Sequence, residues 1–201
     1  MIGTFFECEA DKTKEYYRLI QTEKDYSDGK RFPIDEIIIA SEKINLNTTD
    51  RSKLGGLYVS TYNYVFRWLV RGDTLCKVII PEDSKIYKTT SENGIYITEK
   101  FILTNPVKVD DNIATKLYEA STLPEISYFK AMAACCLCGY LKTAEKVLDE
   151  KVNRHNINTA IEEVENFCHR RANDNTFNDT KAKESVKWLL DELNIKRCNY
   201  S

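Results

Sequence analysis

Histidine is scarce in this chain. Only His155 and His169 occur among 201 residues, each beside an arginine in the C-terminal half. Neighbouring positions on a helix point apart, so Cys168 and His169 do not form a nucleophile and base unit. No apolar run approaches the length that spans a bilayer, and the first residues lack the basic flank and apolar core of a secretory signal. There is no Cys-x-x-Cys pair. Three of the seven cysteines, Cys135, Cys136 and Cys138, crowd into one apolar stretch where a helix would splay them onto different faces. These features leave no metal site and no cofactor in the reading. They favour reduced, buried cysteines and an intracellular, cytoplasmic setting.

Charge of either sign is not in excess: 29 basic against 31 acidic side chains give a net charge of −2, which supplies no global pull toward nucleic acid or anionic lipid. Apolar residues make up 42% and charged residues 30%, the balance of a globular chain with a real core. Acidic pairs such as Asp110 and Asp111, or Glu162 and Glu163, suit a solvated face, and nothing marks either as acid and base.

The densest apolar patterning lies between Leu54 and Pro81. Gly55 and Gly56 permit a turn, Leu57 to Ser60 suits a strand, and Tyr62, Val65, Phe66 and Leu69 recur at the spacing of one helical face. Gly72 ends that helix, and the β-branched run Leu75 to Ile80 stops at Pro81. The expectation is a strand, a helix laid across a small sheet, and a returning strand. Around it, Thr4 to Glu9 reads as a strand, and Asp11 to Gln21 fits helix or strand equally. Lys24 to Pro33 is a turn. Ile37 to Ile39 is a buried strand or a helix end, and Asn45 to Lys53 is a surface loop. Lys85 to Thr89 and Gly94 to Leu103 are strands joined through Asn93 and Gly94, with Asn105 and Pro106 closing this half.

The second half is helical. Asp111 to Glu119 is one helix. Leu123 to Glu125 opens another, whose apolar side is Tyr128, Met132, Ala133, Cys136 and Leu137 and whose stop is Gly139. Leu141 to Val152 returns as a helical hairpin, and Thr159 to Arg171 and Thr180 to Leu193 follow. The fold class expected is α+β: a small mixed-sheet lobe with a covering helix over residues 1–107, then an all-α lobe of four to five helices over residues 108–201.

Two resemblances bear on this half-and-half organisation. The run from Phe129 through Gly139 to Leu148 resembles one degenerate ankyrin-type helix pair, near residues 127–152, without that repeat's usual opening. Residues 4 to 105 are similar to the uncharacterised leader domain of giant-virus ankyrin-repeat proteins, through Gly55 to Thr61, Gly72, Cys76 to Pro81 and Lys100 to Leu103. That resemblance implies a fold and a viral or phage-like origin, and no reaction.

Three functional readings follow. In the first, the chain is a non-enzymatic protein-interaction module that binds and inhibits a host factor, through a patch of Tyr62, Tyr64, Arg67, Trp68 and Arg71. In the second, Tyr58 to Thr61 resembles the strand-borne motif of arginine-serine-glutamate ADP-ribosyltransferases. That resemblance implies phosphate contact by Arg51 or Arg31, ribose contact by Ser60 and Thr61, and charge stabilisation by Glu99. The sequence departs from it in having Tyr62 at the third motif position and no glutamate two residues before Glu99. Ser60 and Thr61 equally suit a helix cap. In the third, Arg67, Arg71 and Lys77 with Tyr62, Tyr64 and Trp68 contact nucleic acid, joined by a second basic cluster at His169 to Arg171 and Lys196 to Arg197. The acidic balance of the whole chain disfavours the third.

Overall fold

Eight short strands, rich in isoleucine, valine and tyrosine, pair into one sheet: β1 (Phe6–Glu9), β2 (Tyr16–Ile20), β3 (Ile37–Ile39), β4 (Leu57–Ser60), β5 (Thr74–Ile79), β6 (Ile86–Thr89), β7 (Ile95–Thr98) and β8 (Lys100–Lys108). The coordinates are a computed structural model describing residues 6–21, 32–48, 50–90, 94–171 and 180–200, with the backbone alone for residues 6–8 and for Arg51. Strand order is β1-β6-β7-β4-β2-β5-β8-β3. Every ladder is antiparallel, and a single parallel bridge joins Ile34 to Leu103. Six α-helices occur among the described residues, five of them after the sheet, so the class is α+β.

Contacts divide the chain into a sheet unit, Met1–Val65 with Arg71–Lys108, and a helical unit, Val109–Ser201 with Phe66–Val70. The central stretch does run strand, helix, strand: after β4 comes one turn, α1 (Tyr62–Val65), then a 3-10 helix, Phe66–Arg71, then β5. Its partners divide. α1 lies against β2, as expected of a helix on the sheet. Phe66 packs against Tyr118 at a ring separation of 5.4 Å, and the Cys138 thiol lies 3.7 Å from the Leu69 carbonyl, so Phe66–Val70 belongs to the helical unit. Periodicity had identified its apolar face correctly but carries no information about which surface that face meets.

Alternation sets the sheet's inner face. Tyr16, Ile38, Cys76, Val78, Ile86, Tyr96, Phe101 and Leu103 form a continuous buried cluster, and the residues between them on β2, β3, β5 and β8 point the other way. Asp11 to Gln21 resolves as a strand, entered through a turn in which the Asp11 carboxylate accepts from the Thr13 amide at 2.8 Å. β8 runs on through Asn105 and Pro106, where a strand end was expected. The register against β5 slips by one residue there, Asn105 has φ 50°, and β3 does not extend that far. A bulge on an unpaired edge is one of the few strand positions that tolerate proline.

In the helical unit, α2 (Asp111–Glu119) precedes α3 (Glu125–Cys138), which is apolar on all sides and contacts α4 (Leu141–Lys151), α5 (Ile157–Arg171) and α6 (Thr180–Tyr200). A helix apolar all round is one that is surrounded. Tyr128, Phe129, Met132, Cys135 and Cys136 are all buried on it. Gly139 closes it at φ 81°, its amide and that of Tyr140 returning to the carbonyls of Cys136 and Cys135. α6 continues to Tyr200, past the expected end at Leu193. No breaker follows that leucine, and Asn194 donates its side-chain amide back to the Leu190 carbonyl.

Candidate functional site

Ser60 ends β4, buried, and its hydroxyl donates to the Gly94 carbonyl at 3.0 Å. Thr61 follows, with its hydroxyl 2.8 Å from the Asn63 side-chain oxygen. Neither hydroxyl caps a helix amide in these contacts, since one is spent across the sheet and the other on a neighbouring side chain. In the β4 and β7 ladder Ser60 lies opposite Ile95, whereas Leu57 lies opposite Thr98. Glu99 is the residue after Thr98, so it stands about four strand positions from Ser60, roughly 14 Å at 3.4 Å per residue. The ladder therefore places Ser60 and Glu99 at opposite ends and does not bring them together. Arg51 lies in the 3-10 turn Arg51–Lys53, its side chain outside the description, and Arg31 lies outside the described residues.

The aromatic and basic set divides between the units. Arg67 and Trp68 belong to the helical unit, where the guanidinium sits 5.0 Å from the indole ring and both side chains are half-buried. Tyr62, Tyr64 and Arg71 belong to the sheet unit. Arg71 is exposed. Tyr64 packs its ring over Gly94, so closely that a β-carbon there would lie 2.1 Å from it. Tyr62 meets Tyr17 edge to face at 5.1 Å. Tyr17 is on the sheet's outward face, donates to Glu15 at 3.0 Å, and is pushed up to about 12 by burial and then by that carboxylate. Glu15 also pairs with Lys77, which holds its carboxyl below the usual range.

Beside this polar row lies an apolar one that sequence reasoning missed. Ile37 on β3 is directly opposite Ile102 on β8, and Ile102 is directly opposite Ile79 on β5. Directly opposed residues share a face with β-carbons about 5 Å apart, so the three isoleucines form a continuous stripe across three strands. Ile37 and Ile39 are 57% and 65% exposed and Ile79 is 48% exposed, while Ile38 between them is in the core. Ile37 to Ile39, expected as a buried strand or a helix end, is a strand, but two of its three side chains are exposed. Three identical residues carry no alternation, so the sequence could not reveal that two of them face outward.

Among the described residues no cluster of histidine, cysteine and acidic side chains could hold a metal ion. Cys135 and Cys136 are buried, and burial pushes the Cys136 thiol up to about 12. His155 and His169 are exposed. No helix among the described residues is long and apolar enough to cross a membrane. Comparison with protein-family models, with curated proteins and with solved structures found no match for this chain.

Proposed function

We propose that the chain works by binding another protein, and that the sheet unit supplies the contact. The observation that carries this reading is the isoleucine stripe Ile37, Ile102 and Ile79, set on the outward face of a sheet whose inner face already holds its own core. Large aliphatic side chains grouped on a solvent face lose about 25 cal/mol for every Å² kept in water, so a partner that covers them gains that term. The neighbouring Tyr17 and Tyr62 pair extends the same face with an aromatic edge of the kind that anchors interfaces. The resemblance to leaders of viral ankyrin-repeat proteins makes a host protein the expected partner.

Affinity capture with the wild type and with an Ile37→Lys, Ile79→Lys double variant tests the reading. The expected result is a protein retained stoichiometrically by the wild type and lost by a variant of unchanged melting temperature. Retention of the same proteins by both would contradict it.

A further inference from the structure

We propose that β3 is a docking edge for an extended segment of the partner, one that adds a strand to the sheet and carries basic residues at the end that meets Asp35 and Glu36. The proposal rests on the protein-binding reading above and specifies its geometry. β3 is the last strand in the sheet order, with β8 on one side and no described strand on the other. The Ala40 amide donates to the carbonyl of Glu99, the residue just before β8, at 2.9 Å. Backbone groups along an antiparallel strand alternate between the two sides, so Ile38 also faces β8 while the N–H and C=O of Ile37 and Ile39 face the open edge. These are the two residues whose side chains are exposed. A strand laid along this edge would pair with both of them and cover Ile37 and Ile39 with its alternate side chains, as in strand addition to other open sheets.

Open edges are usually blunted by lysine or proline within the strand. β3 has neither, and it consists of three isoleucines. Its charges stand at its ends instead: Asp35 and Glu36 before it, and Glu42 with the oppositely charged Lys43 after it, all exposed. No ion pair engages any of these carboxylates among the described residues. Their arrangement selects the occupant. A second copy pairing antiparallel about Ile38 would bring Glu42 and Lys43 of one chain, which carry no net charge together, toward Asp35 and Glu36 of the other, and would leave that acidic pair unmatched. A strand with lysine or arginine at that end meets both carboxylates. The occupant is therefore a basic-ended, β-branched segment of a different protein.

Selection from a random peptide library displayed on phage, using the full chain as bait, tests this directly. The expected sequences alternate β-branched or aromatic residues over about five positions, the usual strand length, with lysine or arginine at one end. Ile39→Pro removes one outward amide without touching the β8 ladder, and it should weaken a selected peptide by about tenfold, the value of one lost ladder bond with its steric clash. Glu36→Lys should shift selection away from basic-ended peptides while the melting temperature holds. Peptides bound equally by wild type and Ile39→Pro would overturn the edge assignment and leave the protein-binding reading standing. A library with no enrichment at all, together with no captured protein, would overturn both. A dimer of the chain that Ile39→Pro dissolves would overturn the choice of a foreign strand in favour of a second copy.

Discussion

Asp111 caps a helix to which it does not belong. Its carboxylate, in the first turn of α2, accepts from the amides of Lys142 at 3.0 Å and Thr143 at 2.9 Å, the opening residues of α4. The Thr143 hydroxyl, fully buried, lies 2.6 Å from the same carboxylate. Tyr140, at the N-cap position of α4, supplies no side-chain cap of its own. Losing an N-cap costs about 1 kcal/mol, while the Thr143 hydroxyl keeps the Asp111 backbone carbonyl at 3.0 Å and the Thr115 hydroxyl at 2.8 Å as partners. Asp111→Ala should therefore lower unfolding free energy by about 1 kcal/mol in a urea titration, and Asp111→Asn, which keeps one acceptor, by less.

Two glycines at the ends of helical segments should respond in opposite degree. A β-carbon on Gly72 would lie 2.2 Å from the Ile20 backbone carbonyl, which the β2 and β5 ladder holds in place. Gly139 has nothing within 4 Å, so only its left-handed backbone resists a side chain. Gly72→Ala should cost about 3 kcal/mol, at the upper end of overpacking, and Gly139→Ala about 1 kcal/mol. Equal losses in thermal melts would show that the close approach at Gly72 is not rigid.

Alkali should destabilise the protein through its buried thiols. Burial raises the Cys76 and Cys168 thiols from 9.0 to about 11 and the Cys136 thiol from 9.0 to about 12. A folded-state pKa above the unfolded one contributes stability that is fully present below pH 9 and is lost as pH rises through 11 to 12. The melting temperature is expected to be level from pH 7 to 8.5 and to fall steadily above pH 9. At the acid end the carboxyls of Asp11, held down by Thr13, and Asp83, held down by Lys100, contribute in the reverse sense, losing their effect as pH falls below 3.8.

Ser60 is a structural hydroxyl in this geometry. Ser60→Ala should cost about 1 kcal/mol, the net value of one hydrogen bond. Adding a nicotinamide dinucleotide should leave the melting temperatures of wild type, Ser60→Ala and Glu99→Ala unchanged. Stabilisation of the wild type alone would contradict the separation that the ladder imposes.

Strand, turn and helix were legible wherever one signal dominated: the alternation in Tyr16 to Ile20 once a strand is chosen, the glycine stop at Gly139, the break after Gly72. Pairing was not. Ser60 meets Gly94 across 34 residues of sequence, and nothing in either local stretch names the other. The candidate surface was hidden for a related reason. Ile37 and Ile79 become neighbours of one stripe only through Ile102, and a register is a property of three strands together. The aromatic and basic set around Trp68 was chosen by nearness along the chain, and the division of contacts assigns its members to two units.

Amide hydrogen exchange, measured on the chain alone and saturated with the captured partner or a selected peptide, tests the account most directly. Protection is predicted to rise at Ile37 and Ile39, whose amides face the open edge, while Ile38, turned toward β8, and Ala40, bonded to Glu99, change little. Protection confined to other segments, with Ile37 and Ile39 exchanging as fast as in the free chain, would contradict it.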